Sequence, residues 1–170
     1  MRKLSIVLIP LAFAYTSFAQ DSMLRWKTIV GLTAPGVQNA VGGIPTGTFP
    51  WATTGGRAFV NLLNGRVRFR VEGLSVLGGD TIGTSSMLGS IIGTLVCTFG
   101  STPVPFDTEA VPLSSQGDAE FDGTLDLSPL DGLSPSALLS CGNPRFLIRN
   151  PAGSWIAAGI VRTMRHEDEE

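Results

Sequence analysis

Histidine occurs once in these 170 residues, as His166, and cysteine only twice, as Cys97 and Cys141. That scarcity excludes whole classes of chemistry. Two cysteines and one histidine cannot build a four-ligand structural zinc site without carboxylates. A Ser–His or Cys–His nucleophile needs an imidazole held within hydrogen-bond reach. The one histidine lies instead in the charged stretch Met164-Arg165-His166-Glu167. No G-x-S-x-G elbow, H-E-x-x-H pair or G-x-x-x-x-G-K-[S/T] loop occurs, so no familiar catalytic motif is present. Sustained helical spacing with caps is missing, and no internal repeat is found. Beyond the first 19 residues no segment offers the roughly 18 uninterrupted apolar residues of a membrane helix. The nearest, Ile82 to Phe99, is broken by Gly, Ser and Thr and reads as a buried strand region.

What is present begins with Arg2 and Lys3, followed by the apolar run Leu4 to Ala14 and the small-residue site Ser17-Phe18-Ala19. This is the layout of a secretory signal peptide over residues 1–19, with a cut before Gln20. No cysteine stands at that cut to carry a lipid. The expectation is a secreted or periplasmic protein. Removal of the segment leaves 151 residues, enough for one domain with a real core. Two of the 12 basic residues leave with it while all 14 acids remain, a formal charge of −4. Glu167-Asp168-Glu169-Glu170 accounts for that charge, so residues 166–170 form an acidic tail and the body over 20–165 is near neutral. A body without positive excess argues against non-specific nucleic-acid binding.

Export takes Cys97 and Cys141 to an oxidising compartment, where the single possible intramolecular pairing becomes the expected disulfide. Two independent buried thiols are the alternative.

Strand-like runs of five to ten residues alternate with Gly/Pro turns, an all-β pattern. Leu24 to Leu32 reads as a first strand. Residues 33–55 are an irregular Gly/Pro-rich segment, packed on the fold or a flexible arm, with Trp51 beside Pro50 favouring packing. Asn64-Gly65 marks a two-residue type I′ hairpin. Its register sets Leu62 opposite Val67, Val60 opposite Phe69, Ala58 opposite Val71, and Arg57 opposite Glu72. One face is then apolar, and the other carries Arg66, Arg68 and Arg70 in a row. Further strands are expected at Ile91–Phe99, Thr108–Leu113, Gly117–Leu127, Arg145–Arg149 and Ser154–Thr163. A loop with a brief helical turn fills Ser128–Ser140, and Asn150-Pro151-Ala152-Gly153 fits a turn with Pro second. In the last strand Trp155, Ala157 and Val161 are assigned to one side, and Ile156, Ala158 and Ile160 to the other. Both sides look buried, which predicts a central strand or a covered face. The fold class is therefore an antiparallel β-sandwich of about 7–9 strands, immunoglobulin-like in general architecture.

Several short pieces resemble an uncharacterised family of exported bacterial β-rich proteins. They are Gly42-Gly43-Ile44-Pro45 with Phe49-Pro50-Trp51, Gly56-Arg57-Ala58, Arg68-Phe69-Arg70-Val71-Glu72-Gly73-Leu74, and Gly117-Asp118-Ala119. Cys97, Cys141-Gly142-Asn143-Pro144 before Phe146, and Trp155-Ile156-Ala157 complete the set. The resemblance covers most of residues 40–160 and implies an exported β domain with a Cys97–Cys141 pair, without implying an activity. Gly56 to Leu74 is also similar to the CHRD domain, but Ser75 to Gly83 lacks the histidine that those domains carry there.

Three constellations could carry function. The carboxylates Asp118, Glu120, Asp122 and Asp126 alternate along one strand. Calcium takes several oxygens, but alternate residues on a strand stand about 7 Å apart, so a solvated face or a charge ladder beside the arginine row is the better reading. A catalytic carboxylate pair is the third reading of the same acids. Trp26, Trp51 and Trp155 could make a sugar-stacking platform, though scattered tryptophans in a small sandwich more often belong to the core. Gly79-Asp80-Thr81-Ile82-Gly83 resembles the D-T-G of aspartic proteases, with Ile82 breaking the motif, and reads as a polar turn. The combined expectation is an exported, non-catalytic β-sandwich that binds or serves as a structural accessory, with no catalytic residues, no cofactor and no nucleic-acid partner. The alternatives are an extracellular carbohydrate- or surface-binding module, using exposed aromatics or the arginine row, and a hydrolase relying on carboxylates alone.

Overall fold

Alternation of apolar and polar side chains, the period-two signature of a half-buried strand, dictates most of what folds here. A computed structural model describes residues 22–36, 39–130 and 135–160. The expected signal peptide, His166, Val161 and the acidic tail lie outside these described residues. Eleven strands are found: β1 (Met23–Trp26), β2 (Thr28–Gly31), β3 (Trp51–Ala52), β4 (Gly55–Asn61), β5 (Arg66–Glu72), β6 (Ser75–Val76), β7 (Ser90–Phe99), β8 (Thr102–Pro112), β9 (Ala119–Thr124), β10 (Gly142–Arg149) and β11 (Trp155–Ile160). Strands β1-β4-β5-β9 form one sheet and β2-β11-β10-β7-β8 a second, while β3 and β6 pair as a short ribbon. Every pairing between these strands is antiparallel, and an isolated parallel bridge joins Thr46 to Trp155. The loop after β9 holds two short 3-10 turns, Ser128–Leu130 and Pro135–Ser140. The all-β sandwich expected from the sequence is what forms.

Between the sheets lies one continuous core to which both contribute. Phe146 of β10 reaches across to Trp26 of β1 (ring centroids 5.5 Å apart) and to Phe69 of β5 (5.7 Å). Phe69 in turn stacks on Phe121 of β9 at 5.7 Å. Gly93 of β7 makes room for this cluster, since a Cβ there would stand 2.5 Å from the Phe69 ring. Cys97 and Cys141 are joined in a disulfide. It ties β7 to the chain entering β10, two neighbours in one sheet, whereas the antibody-domain disulfide crosses between sheets.

Several local expectations are corrected. Leu24 to Leu32 is not one strand: the chain changes sheets at exposed Lys27, so that Trp26 and Ile29 both reach the core from different sheets. The Asn64-Gly65 hairpin is slipped by two residues, pairing Val60 with Val67, Ala58 with Phe69, and Arg57 with Arg70. Its loop is the four residues Leu62–Gly65. There Gly65, at φ 68°, donates its N–H to the Asn61 carbonyl at 2.9 Å. Asn61 Oδ1 accepts the Leu63 N–H, and Asn64 Oδ1 accepts the Arg66 N–H. The longer loop lets Leu62 fold into the core. A slip of two preserves facing, so the apolar and arginine sides stand as read from the sequence.

Strand β8 begins six residues before Thr108. Its Pro103, Pro105 and Pro112 are tolerated because β8 is an edge strand, where a missing N–H faces no neighbour. In β11 a bulge opposite Ile148/Arg149 shifts the phase. Ile156 joins Ala157 in the main core, and Trp155 packs with Ala158 on the outer side.

That outer side is covered by the Gly/Pro-rich passage, which is packed rather than loose. Ile44 sits on Val96 and Leu147. Gly47 donates to the Trp155 carbonyl, and Trp155 donates its backbone N–H to Pro45 and its indole N–H to Asn39. The turn at Asn150 forms as expected, with Gly153 N–H on the Asn150 carbonyl at 3.0 Å.

Reducing the disulfide tests the staple. It closes a 44-residue separation, so chain-entropy reasoning assigns it about 4 kcal/mol. Urea unfolding with and without reductant should differ by that order, and equal midpoints would show that the bond contributes nothing.

Candidate binding face

Burying Leu24, Trp26, Ala58, Val60, Val67, Phe69, Val71 and Ala119 on one side of the four-stranded sheet forces their sequence neighbours to the other. The outer face is therefore built in rows across β1, β4, β5 and β9. Met23 stands opposite Asn61, and Arg66 opposite Thr124. Arg25 stands opposite Phe59, Phe59 opposite Arg68, and Arg68 opposite Asp122. Arg57 stands opposite Arg70, and Arg70 opposite Glu120. Five arginines share this face, with the acids gathered along β9.

The arginine row and the acidic strand do lie side by side, as a charge ladder. Asp122 accepts from Arg66 Nη2 at 3.2 Å and from Arg68 through both Nε (3.0 Å) and Nη2. Arg70 pairs at 2.9 Å with Glu72 of its own strand. The expected Arg57–Glu72 pairing is lost with the slipped register, which leaves Glu72 opposite Gly55. The hydrogen bond from Arg68, helped by Arg66, holds the Asp122 carboxyl below its ordinary value of 3.8. Asp126 is lowered as well, chiefly by the Ser128 backbone N–H that it accepts. Asp118 accepts the Gly73 N–H at 2.9 Å.

The acids are thus distributed along the chain, with Asp118, Asp122 and Asp126 engaged by separate partners and Glu120 standing opposite Arg70. Among the described residues no three His, Cys, Asp or Glu side chains are grouped so as to hold a metal ion.

Arg25 and Arg57 differ from the other three arginines. Among the described residues neither has a carboxylate partner. The Arg25 guanidinium stands 5.9 Å from the centre of the Phe59 ring, a loose cation–π contact. Arg57 faces Arg70, a like-charge pair. Arg25, Arg57 and Phe59, with Met23, Asn61, Arg66, Arg68 and Asp122, line an open depression of about 440 Å³. Sequence reasoning found the Arg66–Arg70 row but missed Arg25 and Phe59. The usable signal was the alternation Met23/Arg25 against Leu24/Trp26.

The other candidates do not converge. Trp26 and Trp51 are buried in the core and Trp155 is half-buried, so the three indoles form no exposed platform. Asp80 lies in an exposed turn closed by Ile82 N–H on the Gly79 carbonyl. Asp107 is clamped on the second sheet by both oxygens to Arg149 at 2.8 Å and by the Thr94 hydroxyl at 2.6 Å, a structural brace between strands. No protein-family model, curated protein or solved structure matches the chain.

The lowered Asp122 value fixes the sign of a pH test. A group whose value is depressed by folding contributes stability above its unfolded value, and loses it as pH falls through the folded one. The urea midpoint of Asp122→Asn should lie below wild type at neutral pH, and the gap should close as pH drops below 3.8. A gap independent of pH would show that the ladder contributes through packing alone.

Proposed function

We propose that this protein is an exported, non-catalytic binding domain whose working surface is the arginine-bearing outer face of the four-stranded sheet. The observation that carries the reading is the asymmetry of that face. Arg66 and Arg68 share Asp122 and Arg70 pairs with Glu72, whereas Arg25 and Arg57 border a depression with no carboxylate partner among the described residues. An exposed guanidinium left without an internal anion is available for an external one. Its planar fork suits carboxylate, sulfate or phosphate groups. Export rests on the Arg2–Ala19 sequence pattern, and the resemblance to exported bacterial β-rich proteins fits it.

A hydrolase would need two carboxylates facing one cleft, roughly 5–10 Å apart. Asp122 lines the depression, and most of its acceptor capacity is taken up by three hydrogen bonds from Arg66 and Arg68. That favours the binding reading over the carboxylate-only enzyme.

Although the mature chain is formally −4, it should be retained on a sulfated-dextran matrix at low salt through this face. Arg25→Gln with Arg57→Gln should weaken retention about tenfold or more, more than Arg70→Gln does. Absence of retention, or equal loss with every arginine, would remove the assigned surface. Intact mass of protein recovered from its native compartment should begin at Gln20 and be two hydrogens light until reduced. A chain still carrying residues 1–19 would overturn export.

A further inference from the structure

The depression beside Arg25 and Arg57 has more than charge. Met23 and Phe59 supply apolar surface, Asn61 supplies an amide, and Asp122 supplies an acceptor. Asp122 receives three hydrogen bonds from Arg66 and Arg68, which leaves about one of a carboxylate's four lone-pair sites open. Arg25 lies directly across from Phe59, and Arg57 two residues before it. The two guanidinium stems therefore stand diagonally, about 7–8 Å apart at their Cα atoms, close enough for both long side chains to reach one anion. The volume falls within the range of small-ligand sites.

Resting on the binding reading above, we infer that the ligand class is an acidic polysaccharide bearing carboxylates, a polyuronate, with one sugar unit seated in this depression. Its carboxylate meets the forks of Arg25 and Arg57. The C–H face of the ring lies on Met23 and the open part of Phe59. Its hydroxyls exchange hydrogen bonds with Asn61 and the free site on Asp122. Each group in the depression then has a partner of matching chemistry.

A nucleic acid is disfavoured by the same face. Affinity for a phosphate chain draws on many phosphates neutralised at once, and among the described residues this face offers only two arginines without a carboxylate partner. A lipid surface is disfavoured by shape. Binding there draws on several unneutralised cations in one plane with apolar side chains projecting beyond them. Here two unpartnered arginines flank a hollow.

The test titrates the intact mature protein calorimetrically with four probes: polygalacturonate, its methyl-esterified form, inorganic polyphosphate, and phosphatidylglycerol vesicles. Polygalacturonate should bind, and esterification, which removes the charge but keeps the sugar backbone, should abolish the signal. Arg25→Gln and Arg57→Gln should each weaken binding about tenfold. Arg25→Lys, which keeps the charge and loses the fork, should fall between. Phe59→Ala should weaken polygalacturonate binding while leaving Arg70→Gln as the near-neutral reference. Thermal unfolding of each variant, expected to stay near the wild-type midpoint or, for Arg57→Gln, to rise above it, separates lost binding from lost fold. Tighter binding of polyphosphate or vesicles through the same arginines would overturn the saccharide class and leave the binding face standing. Equal binding of the esterified polymer would overturn the carboxylate contact. Silence with all four probes would overturn both readings.

Discussion

Phe146 is wedged between Trp26 and Phe69 at ring separations of 5.5 and 5.7 Å, and this bridge between the sheets governs the rest of the structure. Each of the three rings is fully buried and comes from a different strand. Because side chains alternate along a strand, committing Phe69 to the core commits Arg68 and Arg70 to the surface, and committing Trp26 does the same for Arg25. Burial of Ala58 and Val60 places Arg57 and Phe59 outside by the same rule. The polar face is thus a consequence of the core. No separate device is needed to aim five arginines in one direction.

Which features were legible in the sequence follows from how locally each is determined. The facing of β5 and β9 is set by alternation within a few residues, and RVRFRVE and AEFDGT can be read directly. Adjacency of the arginine row and the acidic strand was legible too, because opposite charges directly across a sheet are favourable. Register was not. It depends on whether Leu62 ends a strand or enters the core, a choice made by tertiary packing. The break at Lys27 is marked by a change of phase, the inward positions stepping from Leu24 and Trp26 to Ile29 and Gly31, but Ile29 beside Val30 blurs that step in the sequence. In β11 one bulge was enough to exchange the environments of Trp155 and Ile156. Arg25 was invisible as part of the site for the same reason that β1 and β2 were read as one strand.

The covering passage solves a common problem of a small sandwich. The outer side of the five-stranded sheet carries Val96, Leu147 and Ala158, which would be an apolar patch if left bare. Residues 41–47 cover it with Ile44 and with backbone hydrogen bonds to Trp155, so this face is occupied by the chain itself. Among the described residues the four-stranded sheet has no such cover. Its outer side is largely polar instead, carrying the five arginines and the acids of β9.

The distribution of charge on that open face is hard to account for by stability alone. Exposed ion pairs contribute little, commonly under about 1 kcal/mol. The ladder to β9 is better understood as offsetting the mutual repulsion of a concentrated arginine row. It does so for Arg66 and Arg68 through Asp122, with Arg70 turned to Glu72. Arg57 is left directly opposite Arg70, an arrangement that disfavours the fold. A neutral residue there would relieve it without disturbing the core, since the position is exposed. Asp122, the β9 acid that lines the depression, is engaged by Arg66 and Arg68, so Arg25 and Arg57 have no carboxylate partner among the described residues. The sheet therefore holds a compensated half and an uncompensated half, and the depression lies where the uncompensated half meets Phe59. On the proposed reading, an anion arriving from outside supplies the countercharge that the fold withholds. Binding would then remove a repulsion already present in the free protein, an advantage that a fully paired face could not offer.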